Sequence, residues 1–314
     1  MYQIVGNSSY GDKIERALFN AGGTAWSHDC KKHVYYQSAN SLKLTGRVDN
    51  RHEYRELHDP LCCTGNITRF IPNYVLHMWM ATSDNGVAAT MYGPSLVSVK
   101  VGNSIPVKIE ETTSYPFDET ITLTIKTAQS VEFPLHLRIP KWCKSPVIKA
   151  KGQAVDVKLN ELGFVVIARE WKDNDQVAIT FPMEINCVTG ITKSNGSRSS
   201  VDTTESLTAG LPYSFIERGP LLFTLMITGE NTKYNYGIIT SQKGFTFKKS
   251  PLPQKFSWGN VTLSITLKAQ PIDWPVCPKL AKQTIPKSGK TEDITLVPYG
   301  CSQGLRITMF PVVK

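Results

Sequence analysis

The sequence predicts a mainly β protein whose N-terminal part is helical. Residues 1–82 contain two segments in which apolar residues recur at helical spacing. After Gly86 the chain changes to short runs rich in β-branched residues, with turn residues about every 8–12 positions. We expect a helical part over 1–82, an antiparallel β-sandwich over 83–186, and a second β unit over 187–314 that completes or follows the sandwich.

The first helical segment is GDKIERALFNAG, in which Ile14, Leu18 and Phe19 lie at helical spacing. Met1 and the residues after it extend an apolar face, and an Asn-Ser-Ser stretch supplies turn and capping residues. A basic region followed by an apolar core, which a signal peptide requires, is not found here. A native chain seldom begins inside a helix, so we expect this N-terminal stretch to come from the middle of a longer protein.

The second helical segment is NITRFIPNYVLHMWMAT. Its pattern predicts one buried stripe, made of Ile67, Phe70, Ile71, Val75 and Met78. The proline of this segment, Pro72, is expected to kink the helix or to mark its first turn. Between the two helices, HVYYQSANSLKL favours an extended conformation, and the charged stretch RVDNRHEYRELHDP is a candidate rim for a pocket.

The β part is predicted from a series of strand-like runs. The sandwich runs are VAATMYG, LVSVKV, VKIEETTSY, TITLTIKT, VEFPLHLRI, VIKAKG, AVDVKL, FVVIARE and QVAITFP. From about residue 187 a Gly- and Ser-rich passage interrupts the strands. They resume at SFIERGPLLFTLMI, FTFKK, VTLSITLKA, ITLVPYG and LRITMFP.

Composition limits the function classes. Hydrophobic residues make up 41% of the chain, and no apolar run approaches the roughly 20 residues that span a bilayer, so no membrane role is expected. The net charge of +9 is scattered over the whole length, which argues against a nucleic-acid partner. Seven dispersed cysteines slightly favour a reducing, cytoplasmic compartment, although the compartment stays open.

Cys62 and Cys63 are adjacent at the start of the second helix. Neighbouring residues rarely form a disulfide, because the geometry is strained, so metal ligation, nucleophilic chemistry and coincidence remain. A helix N-terminus lowers the pKa of a thiol, and two thiolates can supply two of the four ligands of zinc. Five nearby residues could complete such a site, but none stands in a recognised ligand spacing: His52, Glu53, Glu56, His58 and Asp59. From residue types alone, two packed cysteines remain the simplest explanation.

Several stretches together resemble the β-L-arabinofuranosidase-like glycoside hydrolases, the former DUF1680 group that includes families 127 and 146. These stretches are YQIVGNSSYGDKIERALFNAG, HVYYQSAN, LCCTGNITRF, IERGPLLFTL and ITLVPYGCSQGLRITMFP. The most specific element is the cysteine pair at the head of a helix, followed by Asn66 and Arg69.

The resemblance implies an (α/α)6 barrel joined to β-sandwich domains, of which residues 1–82 would be the C-terminal remnant of the barrel. It implies a zinc ion bound by a glutamate and three cysteines, with Cys62 as nucleophile and ligand and Cys63 as ligand. It also implies hydrolysis with retention through a covalent thioglycosyl intermediate, formed and broken with the help of a carboxylic acid. Tyr36 and His58 would line the sugar site.

The chain also departs from the family pattern. The remaining zinc ligands, in a Glu-x-Cys motif, and the acid/base glutamate are expected upstream of residue 1. Cys30 does not match that motif and is not expected to be a ligand.

Three hypotheses follow. The first is the C-terminal part of a zinc-dependent retaining glycosidase for β-L-arabinofuranosides or related plant-glycan sugars, inactive by itself. The second is a non-catalytic β-sandwich module that binds carbohydrate or packs on a partner. The third is a split enzyme, in which a second chain supplies the upstream barrel helices and contacts an exposed face of Ile14, Leu18 and Phe19.

Overall fold

A computed structural model describes residues 1–27, 29–41, 53–57, 61–191, 212–228, 232–241, 244–249, 263–272 and 289–313. The chain is mainly β, as predicted. It divides into two compact units, one formed by residues 1–19 and 68–184 and the other by residues 20–67 and 185–314. Residues 1–82 are thus shared between the units. In the described residues, no helix is long and apolar enough to cross a membrane.

Both predicted helical segments contain a helix, but the second prediction is wrong beyond Leu76, because Trp79–Ala81 form a strand. Helices α1 (Tyr2–Val5) and α2 (Ser9–Ala17) lie at the start of the chain, and α3 spans Cys62–Leu76. Gly6 ends α1 in the left-handed conformation with φ 70°, which costs glycine little because it has no Cβ. After α2 the backbone widens into one π-helical turn, Leu18–Gly22, followed by a 3₁₀ turn, Gly23–Ala25.

The first unit contains the sandwich. Its strands are β1 (Trp79–Ala81), β2 (Val87–Ala89), β3 (Ser95–Val101), β4 (Ile105–Thr113), β5 (Thr120–Thr127), β6 (Val131–Arg138), β7 (Val147–Ala150), β8 (Gln153–Ala154), β9 (Phe164–Trp171) and β10 (Gln176–Thr180). One sheet has the order β1-β2-β6-β9 and the other β3-β4-β5-β10-β7-β8. The pairings are antiparallel except for β2 with β6.

The two sheets pack face to face around one apolar core. Alternate residues of β4 and β5, such as Ile109 and Leu123, are fully buried against Phe133 and Leu135 of β6 and Trp171 of β9. The intervening residues of β4 and β5 are exposed or half-buried, as the period of two in a strand requires. This alternation is why the sandwich strands could be located from the sequence.

Helix α2 is attached to the sandwich by a buried ion pair. Arg138, the last residue of β6, and Glu15 of α2 are both fully buried and form this pair. Arg138 also contacts Asp12 Oδ1 at 2.6 Å and donates from Nε to the Thr90 carbonyl at 2.6 Å. Glu15 accepts hydrogen bonds from the Tyr92 amide at 3.1 Å and from the Tyr115 hydroxyl at 2.7 Å. The Glu15 carboxylate and the Arg138 guanidinium therefore find their polar partners within the protein.

The structure corrects two expectations about apolar faces. Leu18 is buried, and Ile14 and Phe19 pack against the apolar clusters of their own unit, so these residues do not form an exposed face. In α3, Ile71 and Val75 are 37% and 57% exposed, so they do not belong to the buried stripe.

The inward face of α3 instead carries Ile67, Phe70 and Tyr74, which recur every three to four residues. Tyr74 is fixed there by its hydroxyl, which donates to the Tyr92 carbonyl at 2.9 Å. Met78 is buried as predicted, although it lies beyond the helix end. Pro72 lies inside α3 and not in its first turn.

The second unit holds the remaining strands. These are β11 (Ile185–Ile191), β12 (Pro212–Arg218), β13 (Leu221–Met226), β14 (Tyr236–Ile239), β15 (Thr246–Lys249), β16 (Leu263–Pro271), β17 (Glu292–Pro298), β18 (Arg306–Ile307) and β19 (Phe310–Val313). Strand β11 continues to Ile191, so the strand pattern does not break at residue 187. The Gly- and Ser-rich passage that follows, and most of the Pro- and Lys-rich loop before β17, lie outside the described residues.

Six strands of this unit form a closed circuit of hydrogen-bonded pairs, in the order β12-β19-β14-β16-β17-β13 and back to β12. The circuit encloses fully buried side chains, including Phe223, Ile265, Leu296 and Phe310. Closing a sheet on itself removes the exposed strand edges that an open sheet would present. Strand β11 adds to the outside of the circuit through β12.

The first unit should lose stability as the pH rises, because of Glu111 on β4. This carboxyl accepts hydrogen bonds from the Gly93 amide and the Ser95 hydroxyl, both at 3.0 Å, yet burial raises its pKa from 4.5 to about 8. The folded state therefore binds a proton that the unfolded state releases between pH 4.5 and 8. Stability should fall over that window.

We expect Glu111→Gln to remove this pH dependence. Between pH 5.5 and 9, the unfolding free energy of the wild type should fall by about 3 kcal/mol relative to the variant. Urea unfolding at the two pH values measures this double difference. Glu110→Gln, at the neighbouring exposed position of β4, is the control and should show no such change. The prediction would be contradicted if wild type and E111Q differed in unfolding free energy by the same amount at both pH values.

Candidate functional site

The cysteine pair lies in the first turn of α3, as the sequence predicts. Helix α3 begins at Cys62, and the Asn66 side-chain amide donates to the Cys62 carbonyl at 2.7 Å. Cys62 is exposed, whereas Cys63 is half-buried. Successive residues of a helix point in directions about 100° apart, which is why the two thiols differ in exposure.

A tyrosine hydroxyl lies beside the exposed thiol. The Tyr35 hydroxyl is 3.7 Å from Cys62 Sγ, within hydrogen-bonding distance for sulfur. The ring of Tyr36 packs edge-on against the ring of Tyr35, with centroids 4.7 Å apart. Tyr36, the residue predicted to line the sugar site, is 37% exposed and lies one position from the tyrosine that reaches the thiol. The sequence Tyr-Tyr gives no signal that separates the two roles.

His33 connects the first turn of α3 to the extended segment that carries Tyr35. Its side chain is buried, and its Nε2 lies 3.1 Å from the Thr64 hydroxyl. Its backbone exchanges two hydrogen bonds with Arg55, at 2.8 and 2.9 Å. His33 therefore fixes the distance between the tyrosine segment and the cysteine pair. Sequence reasoning missed it, because an isolated histidine in a polar stretch has no distinctive spacing.

The electrostatics of the pair differ from the sequence-based expectation. Burial raises the pKa of Cys63, and the neighbouring Cys62 adds to this effect. The prediction that the helix end lowers thiol pKa values is therefore wrong for Cys63 in the metal-free protein. The pKa of Tyr35 is also raised, first by its hydrogen bond to Cys62 and then by the charge of that group. Tyr35 thus stays protonated next to the thiol, and either group can donate the hydrogen bond between them.

The donor set fits zinc as half of a site. Two adjacent thiols are soft ligands of the kind that zinc prefers. Of the other candidates, Glu53 forms an ion pair with Arg55 at 3.2 Å and Glu56 is exposed. His52, His58 and Asp59 lie outside the described residues. Within the described ranges, no group of three or more His, Cys, Asp or Glu side chains could hold a metal.

Other cysteines are placed differently. Cys30 is exposed in a turn, with a positive φ of 56°. Cys143 and Cys301 are buried, and burial raises their pKa values to about 11 and about 12. A buried thiol with a high pKa is a poor nucleophile. Among the cysteines of the described residues, only Cys62 is exposed at the end of a helix.

A second feature adjoins the tyrosine segment. Tyr36 lines a small cavity together with Ser38, Ser41, Tyr54 and Arg306. The Tyr54 hydroxyl donates to the Thr24 carbonyl at 2.6 Å, and burial raises the pKa of Tyr54 to about 12. The cavity belongs to the second unit, as do Tyr35 and Cys62.

Comparison with known proteins supports the resemblance. Residues 86–183 match the family model described as the middle domain of GH127 β-L-arabinofuranosidase. No curated protein sequence matches the chain.

Three solved structures are similar over the whole chain. The GH127 β-L-arabinofuranosidase Ara127N of Geobacillus stearothermophilus T6 is 24% identical, with a TM-score of 0.74, over 100% of this chain and 48% of that protein. A structure described as a glycoside hydrolase is 20% identical, with a TM-score of 0.77, over 100% of this chain and 50% of that one. The GH127 β-arabinofuranosidase BT3674 is 22% identical, with a TM-score of 0.72, over 99% and 47%.

These likenesses establish the fold of the chain. They also confirm the resemblance to GH127-type glycoside hydrolases that the sequence motifs indicate. The chain spans about half the length of the solved structures that it matches.

The thiols should react in a fixed order in metal-free protein. Iodoacetamide at pH 8 should label the two exposed cysteines, Cys62 and Cys30, before the others. Cys63 should react at least about fivefold more slowly, because burial raises its pKa and lowers its thiolate fraction. Cys143 and Cys301 should stay unlabelled until the protein unfolds.

Peptide mapping by mass spectrometry, after quenching at successive times, measures these rates. The same protein in 6 M guanidinium chloride is the control, in which all cysteines should react at similar rates. Labelling of Cys63 ahead of Cys62 would show that this description of the pair is wrong.

Proposed function

We propose that this chain is the C-terminal part of a zinc-dependent retaining glycoside hydrolase that acts on β-L-arabinofuranosides or related plant-glycan sugars. Cys62 is its nucleophile. The observation that carries the proposal is the exposed Cys62 thiol in the first turn of α3, with the Tyr35 hydroxyl 3.7 Å away, in a chain whose whole length shares the GH127 fold.

In the proposed reaction, the Cys62 thiolate attacks the anomeric carbon of the sugar. A carbon–sulfur bond forms while the glycosidic carbon–oxygen bond breaks, and the departing oxygen takes a proton from a carboxylic acid. Water then attacks the same carbon, gives its proton to the carboxylate, and returns the thiolate. Each displacement inverts the anomeric carbon, so the configuration is retained overall. The carboxylic acid belongs to a segment outside this chain.

Residues of this chain prepare the thiolate. Tyr35 remains protonated, so its hydroxyl can donate a hydrogen bond to sulfur. Cys63 and Cys62 would hold the zinc ion, which when bound keeps thiols deprotonated at neutral pH. A glutamate and a third cysteine from the segment outside this chain would complete the ligand set. Tyr36 and His58 are proposed to contact the sugar.

We also propose that α2 and α3 are the remnant of an (α/α)6 barrel. Near its C-terminal end, α3 carries apolar residues on two faces, since Phe70 and Tyr74 pack in the first unit while Val75 and Leu76 are 57% and 71% exposed. An exposed apolar patch of this kind is normally covered by another element. The outer face would therefore be covered by further barrel helices, supplied by the rest of the polypeptide or by a second chain.

The alternative is a non-catalytic sandwich module that binds carbohydrate or packs on a partner. Such a module requires neither zinc nor a free thiol at Cys62. The two hypotheses therefore predict different results when the Cys62 sulfur is replaced by oxygen.

The first test uses the polypeptide at its natural length, purified from its source, and a p-nitrophenyl β-L-arabinofuranoside. Cys62→Ser should reduce kcat at least about 10³-fold, because the hydroxyl is a far weaker nucleophile than the thiolate. The matched control, Cys30→Ser, changes an exposed cysteine away from the pair and should keep activity within about twofold. Zinc analysis should give one ion per wild-type chain and a loss of zinc in Cys63→Ser. Full activity in C62S would contradict the proposed nucleophile.

The second test examines the outer face of α3 in the isolated chain. Val75→Glu should reduce the fluorescence of a bound hydrophobic dye and slow aggregation, because it breaks an exposed apolar patch. It should leave the melting temperature within about 2 °C, since Val75 contributes little to the core of its own unit. Thr68→Glu adds the same charge at an exposed polar position and should change neither signal.

In the polypeptide of natural length, Val75→Glu should instead lower the melting temperature by several degrees, because the added charge would be buried there. If Val75→Glu left the melting temperature unchanged both in the isolated chain and in the polypeptide of natural length, the result would argue against barrel helices that cover this face of α3.

A further inference from the structure

The cavity beside Tyr36 contains a buried arginine. Arg306, the first residue of β18, is only 4% exposed and lines this cavity with Ser41 and Tyr54. The cavity volume is about 10 Å³, roughly the space that one water-sized body needs. It lies wholly within the second unit and does not include the cysteine pair.

The polar contacts of Arg306 are all with neutral groups. Nη2 donates to the Tyr299 hydroxyl at 2.8 Å and to the Ser38 carbonyl at 3.4 Å, and Nη1 donates to the Gly304 carbonyl at 3.5 Å. The guanidinium also lies over the Tyr299 ring, 4.4 Å from its centroid. Its Nε is buried and makes no hydrogen bond within the described residues.

The charge of Arg306 is therefore uncompensated in this part of the molecule. An arginine side chain keeps its positive charge in proteins, so it cannot avoid burial by losing a proton. By comparison, the buried Arg138 forms ion pairs with both Glu15 and Asp12. Across the described residues, Arg306 forms no ion pair with a carboxylate. A buried cation with one unpaired donor, in a residue that lines a small cavity, favours a compensating anion there.

We propose that the cavity is a binding site for chloride. The small volume of the cavity favours a monatomic anion over carboxylates and phosphate, which are larger. Arg306 Nε supplies a charged donor, and Ser41, itself 4% exposed, brings a hydroxyl that can rotate to donate. The ligand is thus a small halide held by one guanidinium and one hydroxyl.

The anion would stabilise the segment that carries the tyrosines. Ser41 and Arg306 exchange two backbone hydrogen bonds of 2.8 Å, and the Tyr299 hydroxyl donates to the Ser38 carbonyl at 3.2 Å. Neutralising the charge of Arg306 removes the electrostatic cost of holding Ser38 and Ser41 against Tyr299 and Arg306. Residues 36–41 therefore become more rigid when chloride is bound.

The test compares salts at constant ionic strength. The melting temperature of the chain is measured while sodium gluconate is replaced stepwise by sodium chloride, up to 200 mM. We expect a saturable rise of about 2–4 °C, because a ligand that binds only the folded state stabilises it. Bromide should act like chloride, whereas acetate and phosphate should give no rise. Hydrogen exchange of residues 36–41 should slow in chloride and not in gluconate.

Matched variants locate the effect. Arg306→Gln should abolish the chloride response, and Lys248→Gln, which removes an exposed charge from β15 of the same unit, should retain it. Equal melting temperatures in chloride and gluconate would overturn the proposal and leave water as the occupant. An undiminished response in R306Q would also overturn it, because the anion would then bind elsewhere. If R306Q does not fold, wild-type crystals grown in bromide provide the test. An anomalous peak beside Arg306 Nε would support the anion site, and the absence of a peak would overturn it.

Discussion

The ion pair between Arg138 and Glu15 determines how the helical segment of the first unit is attached to its sandwich. Both side chains are fully buried, and Asp12, Thr90, Tyr92 and Tyr115 supply the remaining hydrogen-bond partners. Replacing one partner would leave a buried charge without compensation, which is strongly destabilising. The network also brings α2 very close to β6. A Cβ on Gly11 would lie 2.7 Å from the Arg138 side chain and 2.9 Å from the Thr90 carbonyl, so this position requires glycine.

Much of this architecture follows from local patterns in the sequence. The sandwich strands were predicted because alternate residues face the core, and both helices were predicted because apolar residues recur every three to four positions. The closed circuit in the second unit could not be predicted, since closure depends on β14 pairing with β19, strands that are far apart in sequence. Local patterns carry no information about such pairings. The buried ion pair of Arg138 likewise could not be predicted, because its partners lie on distant elements.

The errors at the candidate site have the same origin. Ile71 and Val75 fit the periodicity of an apolar stripe, yet α3 carries apolar residues on two faces, and periodicity alone cannot decide which face a given unit buries. Tyr35 and Tyr36 were indistinguishable because both are aromatic residues in an extended segment. Only the contact of one hydroxyl with Cys62 separates them. Cys62 could be singled out from the sequence because it has an adjacent cysteine at a predicted helix start, whereas Tyr35 and His33, which contact the first turn of that helix, could not.

The difference in exposure between the two thiols explains why an adjacent pair is useful for the proposed chemistry. Consecutive residues in a helix point about 100° apart, so Cys62 and Cys63 face different surroundings. Cys62 is exposed, while Cys63 is half-buried and burial raises its pKa. A thiol that is costly to ionise alone gains most from a bound cation, because the cation compensates its charge where water cannot. In the proposed mechanism, the same helical geometry would give Cys62 the access that a nucleophile needs, while the half-buried Cys63 would gain most from a bound cation.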